Sequence, residues 1–170
     1  MKYFPNLIIR LILCLTPLEF FYIIFTPLTL YGSYFLILPL NPHLNNTQLI
    51  VHSQVYNIVK PCVAGFAYYF FFLLTMLTKE VNSRVKIIFY GFFLIFLMNI
   101  LRIALLIYIG TYYGQEAYES LHIFFWKFVS GIYVAIIWIG IIKYYKITSI
   151  PIYDDLKELY KHSYFSKKPI

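Results

Sequence analysis

Residues 87–112 read IIFYGFFLIFLMNILRIALLIYIGTY. Asn99 is the one amide in this run and Arg102 its one charge. About 20 consecutive apolar residues span a bilayer as a helix, so the stretch predicts a transmembrane helix. An arginine at the bilayer centre costs roughly 2.5–3.5 kcal/mol on insertion scales. A chain that keeps one ordinarily uses it for a pathway, a partner or chemistry. Asn99 lies one turn before Arg102, Cys62 opens the preceding apolar run, and His122 opens the next.

The composition agrees with this reading. The chain has 170 residues, 61% hydrophobic and only 12% charged, against about 45–50% and about 25% in a soluble domain. An integral membrane protein is expected, not a soluble domain with a large core. Net charge is +7, but the basic residues flank the apolar runs. They read as topology signals and contacts to anionic lipid, not as a nucleic-acid surface. Two cysteines, Cys14 and Cys62, are too few for a disulfide framework. Lys2 and the apolar stretch after it resemble a signal peptide, but no small-x-small site follows, so retention is expected.

Four apolar regions predict an all-α, polytopic transmembrane helix bundle. Residues 7–40 are longer than one span needs and are punctuated by Pro17, Pro27 and Pro39. A short interfacial helix to about Cys14 and one span to near Pro39 are expected, with two thin spans as the alternative. The other spans are Pro61 to Thr78, Ile87 to Tyr112 and His122 to Tyr145. Residues 1–146 would form one transmembrane domain and 147–170 a basic cytoplasmic tail holding a short helix near Asp154–Lys161. The polar segment 41–59 is expected to hold a short amphipathic turn over the site. The many Tyr, Phe and Ile side chains read as lipid-facing filler.

Loop charges set the orientation. Lys79, Arg84 and Lys86 in 79–86, against Glu80, and Lys143, Lys146, Lys157, Lys161, Lys167 and Lys168 in the tail place both segments inside. Segments 41–59 and 113–121 carry no Lys or Arg and fall outside. Lys2 and Arg10 put the N-terminus inside. Tyr112, Tyr113, Phe125 and Trp126 fit an outer aromatic belt. If the third span ends near Ile107, Arg102 lies roughly 7–8 Å below the outer surface, within snorkelling reach. Cys62, Arg102 and His122 then share one layer, with Asn99 on the face of Arg102.

These groups suit cysteine-based acyl transfer. A thiol must become a thiolate to attack, and burial alone disfavours that form. A nearby cation favours it, a histidine can take the proton, and an arginine offers fixed donors to an oxyanion. No P-loop or dinucleotide glycine pattern, no pair of intramembrane carboxylates and no metal-ligand spacing among His43, His52 and Cys62 is present. No cofactor is expected.

The segments PCVAG at 61–65, NILRI at 99–103 and LH at 121–122 resemble the exosortase/archaeosortase family over roughly residues 50–146. The resemblance implies a multi-span membrane cysteine peptidase or transpeptidase, active at the outer face of the cell membrane. Cys62 would be the nucleophile, Arg102 the electrostatic stabiliser and His122 the general acid/base. Its substrates would be exported proteins ending in a short motif, a hydrophobic span and a basic tail. Water, or an acceptor such as a lipid, would receive the cut end. Family members often have more N-terminal spans, bacterial members often have Ser-Gly where Val63-Ala64 stands, and some archaeal ones have Arg at the third position. Lys127 lies about 140° around an α-helix from His122 and ranks below it for that third role.

Other readings remain for the same residues. Arg102 would pair with Glu19 or a lipid phosphate, and Asn99 would orient Arg102 or join helices by a hydrogen bond. Cys62 would be a small buried residue and His122 an interfacial one. The alternative function is a non-enzymatic transporter subunit or assembly factor in which Arg102 binds an anionic group.

Overall fold

The structure, a computed structural model, describes residues 3–162 except 53, 80 and 82, without the side chains of residues 3, 126 and 162. Lys2, Glu80, Lys167, Lys168 and the Trp126 ring, invoked above, lie outside the described residues. Helix accounts for 77% and strand for 7%, so the all-helical expectation holds for the body but not for every segment.

Helix α1 (Tyr3–Cys14) and helix α2 (Leu18–Leu36) meet at a 63° bend. Pro17 caps α2 in an extended conformation, and a proline disfavours helix in the residue before it, so the chain breaks between Cys14 and Leu18. This is the division expected from the prolines. After a short 3-10 helix (Leu38–Leu40), Asn41 turns the chain in a left-handed conformation at φ 50°.

Residues 41–59 do not form the expected amphipathic turn. They form an antiparallel sheet of β1 (His43–Asn45), β2 (Gln48–Val51) and β3 (Gln54–Asn57), in spatial order β1-β2-β3. Asn46 and His52, both with positive φ, serve the two turns. Alternate residues Leu49, Val51 and Tyr56 are buried, while Gln48 and Asn57, paired across the strands, bond to each other in the open. One face therefore packs on the helices and the other faces outward, the period-2 pattern of a half-buried strand.

The chain then runs through α3 (Lys60–Val63), α4 (Gly65–Met76) and the long α5 (Arg84–Tyr113). Only Gly114, at φ 93°, separates α5 from α6 (Gln115–Phe124), so the expected loop at 113–121 is almost wholly helical. A π-helical turn (Phe125–Val129) joins α6 to α7 (Ser130–Tyr145), and α8 (Tyr153–His162) follows.

Helix α5 packs against α2, α4, α6 and α7. Many aromatic residues line the interior, contrary to their reading as filler. Phe25 and Tyr68 stack at 3.6 Å, Phe92 meets both edge-on at 5.5 Å, and Phe71 meets Trp138 edge-on at 5.6 Å. The edge contacts suit rings whose faces are negative and rims positive, and the Phe92 edge meets both members of the face-to-face Phe25–Tyr68 stack. Gly91 allows the fit, since a Cβ there would lie 2.1 Å from the Phe71 ring.

Helices Arg84–Tyr113 and Gln115–Tyr145 are long and apolar enough to cross a membrane. A third crossing is present if the bent pair Phe4–Cys14 and Leu18–Leu36 counts as one. The region from Pro61 to Thr78, expected as a span, breaks at Ala64 and leaves α4 with 12 residues, about 18 Å of helix. At the far end of α4, Arg10 is buried against α8. Its guanidinium pairs with Asp155 at 2.9 Å and donates to the Met76 and Thr78 carbonyls. Lys79 pairs with Glu158, and the Ile152 amide donates to Leu77. The segment expected as a separate tail is thus docked on the body as far as it is described.

Candidate functional site

Four residues of helix present Cys62. Val59 is extended, Pro61 lies in the first turn where no amide hydrogen is needed, and Ala64 ends α3 in a left-handed conformation at φ 57°. A helix end leaves carbonyls without partners. Here α5 satisfies them. Asn99 donates to the Cys62 carbonyl at 2.9 Å and Arg102, one turn on, donates to the same oxygen at 3.1 Å. The same Arg102 Nη2 also reaches the Pro61 carbonyl at 3.4 Å. Asn99 therefore joins two helices and, among the described residues, does not bond Arg102. No ion pair between Arg102 and Glu19 occurs among the described residues either.

The Cys62 thiol points toward α6. Its Sγ is 3.5 Å from His122 Nε2 and 3.9 Å from the Asn57 carbonyl at the end of β3. With Nε2 unprotonated, His122 accepts from the thiol, a tautomer inferred from this contact. The imidazole stacks on Tyr118 one turn earlier, ring centroids 5.6 Å apart at 26°. Tyr118 meets Tyr56 of β3 at 5.0 Å, and the Tyr56 hydroxyl lies between Gln54 and Thr111. The sheet thus braces the face of α6 that carries His122.

Three of the residues singled out from sequence, Cys62, Arg102 and Asn99, interlock directly, and His122 joins them through the thiol. Arg102 is 5% exposed, yet its Nε and Nη1 have no hydrogen-bond partner among the described residues. Cys62 is 2% exposed, so an external carbonyl reaches it only if α6 or the sheet moves aside.

A cavity of about 660 Å³ lies beside this cluster. Arg102, Pro61 and Ala64 help to line it, with Lys60 and Lys127, but Cys62 and His122 do not. Lys127 sits in the π turn, where the α-helical angle of the sequence argument no longer applies. It serves a different surface from His122. Tyr118, Tyr56 and Lys60 were not singled out from sequence. A tyrosine four residues before a histidine on one helix was the available sign for Tyr118. Both cysteines are free. Among the described residues no group of three or more His, Cys, Asp or Glu stands close enough to hold a metal.

Comparison with protein families, with curated proteins and with solved structures finds no match to this chain.

Proposed function

We propose that this chain is a membrane-embedded cysteine peptidase or transpeptidase of the exosortase/archaeosortase kind. The observation that carries the reading is the 3.5 Å contact of Cys62 Sγ with His122 Nε2 beside the buried Arg102. His122 takes the thiol proton, and the thiolate adds to the scissile carbonyl. Arg102 Nε and Nη1, enclosed and without partners in the closed state, meet the oxyanion once α6 or the sheet moves aside to admit the carbonyl. Collapse breaks the C–N bond, His122 protonates the leaving amine, and a thioester remains on Cys62. Water or the amine or hydroxyl of an acceptor such as a lipid then releases the acyl group.

In this reading the bundle crosses the cell membrane four times, with residues 60–76 as a short kinked crossing. The site faces outside and both termini face the cytoplasm. The substrates are exported proteins with a C-terminal motif, hydrophobic span and basic tail, the span docking laterally from the lipid.

Cys62→Ala and Cys62→Ser are expected to abolish processing of such a substrate in membranes while the protein still accumulates. Normal processing in either variant would rule the enzyme out. A second reading, in which Arg102 binds an anion without catalysis, is favoured by its unpartnered nitrogens and the adjoining cations. It predicts sensitivity at Arg102 and indifference at Cys62.

A further inference from the structure

The cavity beside Arg102 has an unusual pairing of walls. Its lining includes the cations Lys60, Arg102 and Lys127, and no carboxylate. The rest is mostly apolar, and two of its rings, Phe66 and Phe70, are 64% and 43% exposed. It therefore opens on the greasy outside of the helices, not into the aromatic core.

Arg102 supplies the second observation. A guanidinium that is 5% exposed has lost most of its hydration, and hydrogen bonds to two carbonyls do not neutralise it. Leaving a buried charge without a counter-charge is strongly unfavourable. Its Nε and Nη1 lack hydrogen-bond partners among the described residues, as do Asn99 Oδ1 and the hydroxyls of Tyr68 and Tyr133, but of these groups Arg102 alone is a cation. Lys60 is held over the Tyr22 ring at 5.6 Å, and Tyr22 also lines the cavity. The π turn, a feature frequent at functional sites, carries Lys127 to the same space. Among the described residues no carboxylate lines this space, so an anion brought in through the cavity supplies the missing charge.

We propose that this cavity binds an anionic phospholipid, its phosphate among Lys60, Arg102 and Lys127 and its hydrocarbon chain against Phe66 and Phe70. Free phosphate would meet the same cations but would leave the apolar wall empty, so the lipid is favoured. The site shares Arg102 with the enzyme reading, but neither Cys62 nor His122 lines it, so lipid binding can be read in a Cys62→Ala variant that cannot process substrate.

The test uses the full chain in a neutral detergent, titrated with dioleoylphosphatidylglycerol, dioleoylphosphatidylcholine or inorganic phosphate. Retained lipid is read by native mass spectrometry and the thermal midpoint is followed in parallel. Phosphatidylglycerol is expected to bind and raise the midpoint, phosphatidylcholine to bind more weakly, and phosphate to do neither. Near the membrane surface a Lys or Arg contact to anionic lipid is worth a factor of about five. Lys60→Gln and Lys127→Gln, both exposed side chains, should each weaken phosphatidylglycerol by about that factor; Lys127→Gln should leave the lipid-free midpoint unchanged, while Lys60→Gln also loses its contact with the Tyr22 ring. Lys157→Gln, on the docked α8, should not change binding. Equal retention of the two lipids, undiminished binding by the Lys60→Gln/Lys127→Gln double variant, or stabilisation by phosphate alone to the same extent would each overturn the proposal.

Discussion

Arg102 does two things that pull against each other. It caps α3 through the Pro61 and Cys62 carbonyls, and it holds a buried charge that nothing in the described chain neutralises. Removing an uncompensated buried charge often costs little or even stabilises. Arg102→Met is therefore expected to be as stable as the wild type in neutral detergent, within about 1 kcal/mol. Processing should meanwhile fall by about 10²–10³, the usual loss for one oxyanion donor. Asn99→Leu is the contrasting case. It deletes one hydrogen bond from a fully buried site and should cost about 0.6–1.7 kcal/mol, read as a drop in thermal midpoint. A larger loss from Arg102→Met than from Asn99→Leu would mean that capping outweighs the charge. Cys62, Asn99, Arg102 and His122 were legible because polar groups stand out in or at the edge of an apolar run. Tyr56 and Tyr118 were not, among 18 tyrosines, since a ring that braces a histidine is written like a ring in lipid.

At the scale of elements, the prolines were the readable marks. Pro17 announced the break between α1 and α2, and Gly114 is the sole hinge between α5 and α6. The sheet was hidden because its strands are three or four residues long, too short for alternation to speak. The start of α6 was hidden because its stripe is short and only half-buried, carried by Ala117, Tyr118, Leu121 and His122 among polar neighbours. Gly91 is the element-scale test of the core. A methyl there meets the Phe71 ring at 2.1 Å, and Phe71 is fully buried near Trp138. Gly91→Ala should destabilise by about 1–3 kcal/mol through overpacking. Adding Phe71→Leu should recover part of that loss, because neighbours that clash do not behave additively. Simple addition of the two costs in a double-mutant cycle would show that α4 and α5 do not meet as described.

On the scale of the whole molecule, the two groups of charged residues lie at opposite ends of α4, about 18 Å apart along its axis. One end holds Cys62 and Arg102. The other ties α1, residues 77–79 and α8 together through Arg10, Lys79, Asp155 and Glu158. The loop charges called for residues 79–86 and the C-terminal segment to share a side, and the ion pair of Lys79 with Glu158 makes them neighbours. The grip of Arg10 on α8 was not legible, because a lone arginine in an N-terminal apolar run reads as a topology signal. Arg10→Ala removes the cation bonded to the buried Asp155 and should cost about 3 kcal/mol. The expected readout is rapid protease cleavage around residues 147–152 in detergent, and unchanged resistance would show that α8 is held by other contacts. The same pair sets a clock on biogenesis. Its partners stand 145 positions apart, and a ribosome adds about 5–20 residues per second. Arg10 therefore enters the world roughly 7–30 s before Asp155 exists, and for that interval the nascent chain must shelter a naked cation with water, lipid phosphate or the insertion machinery.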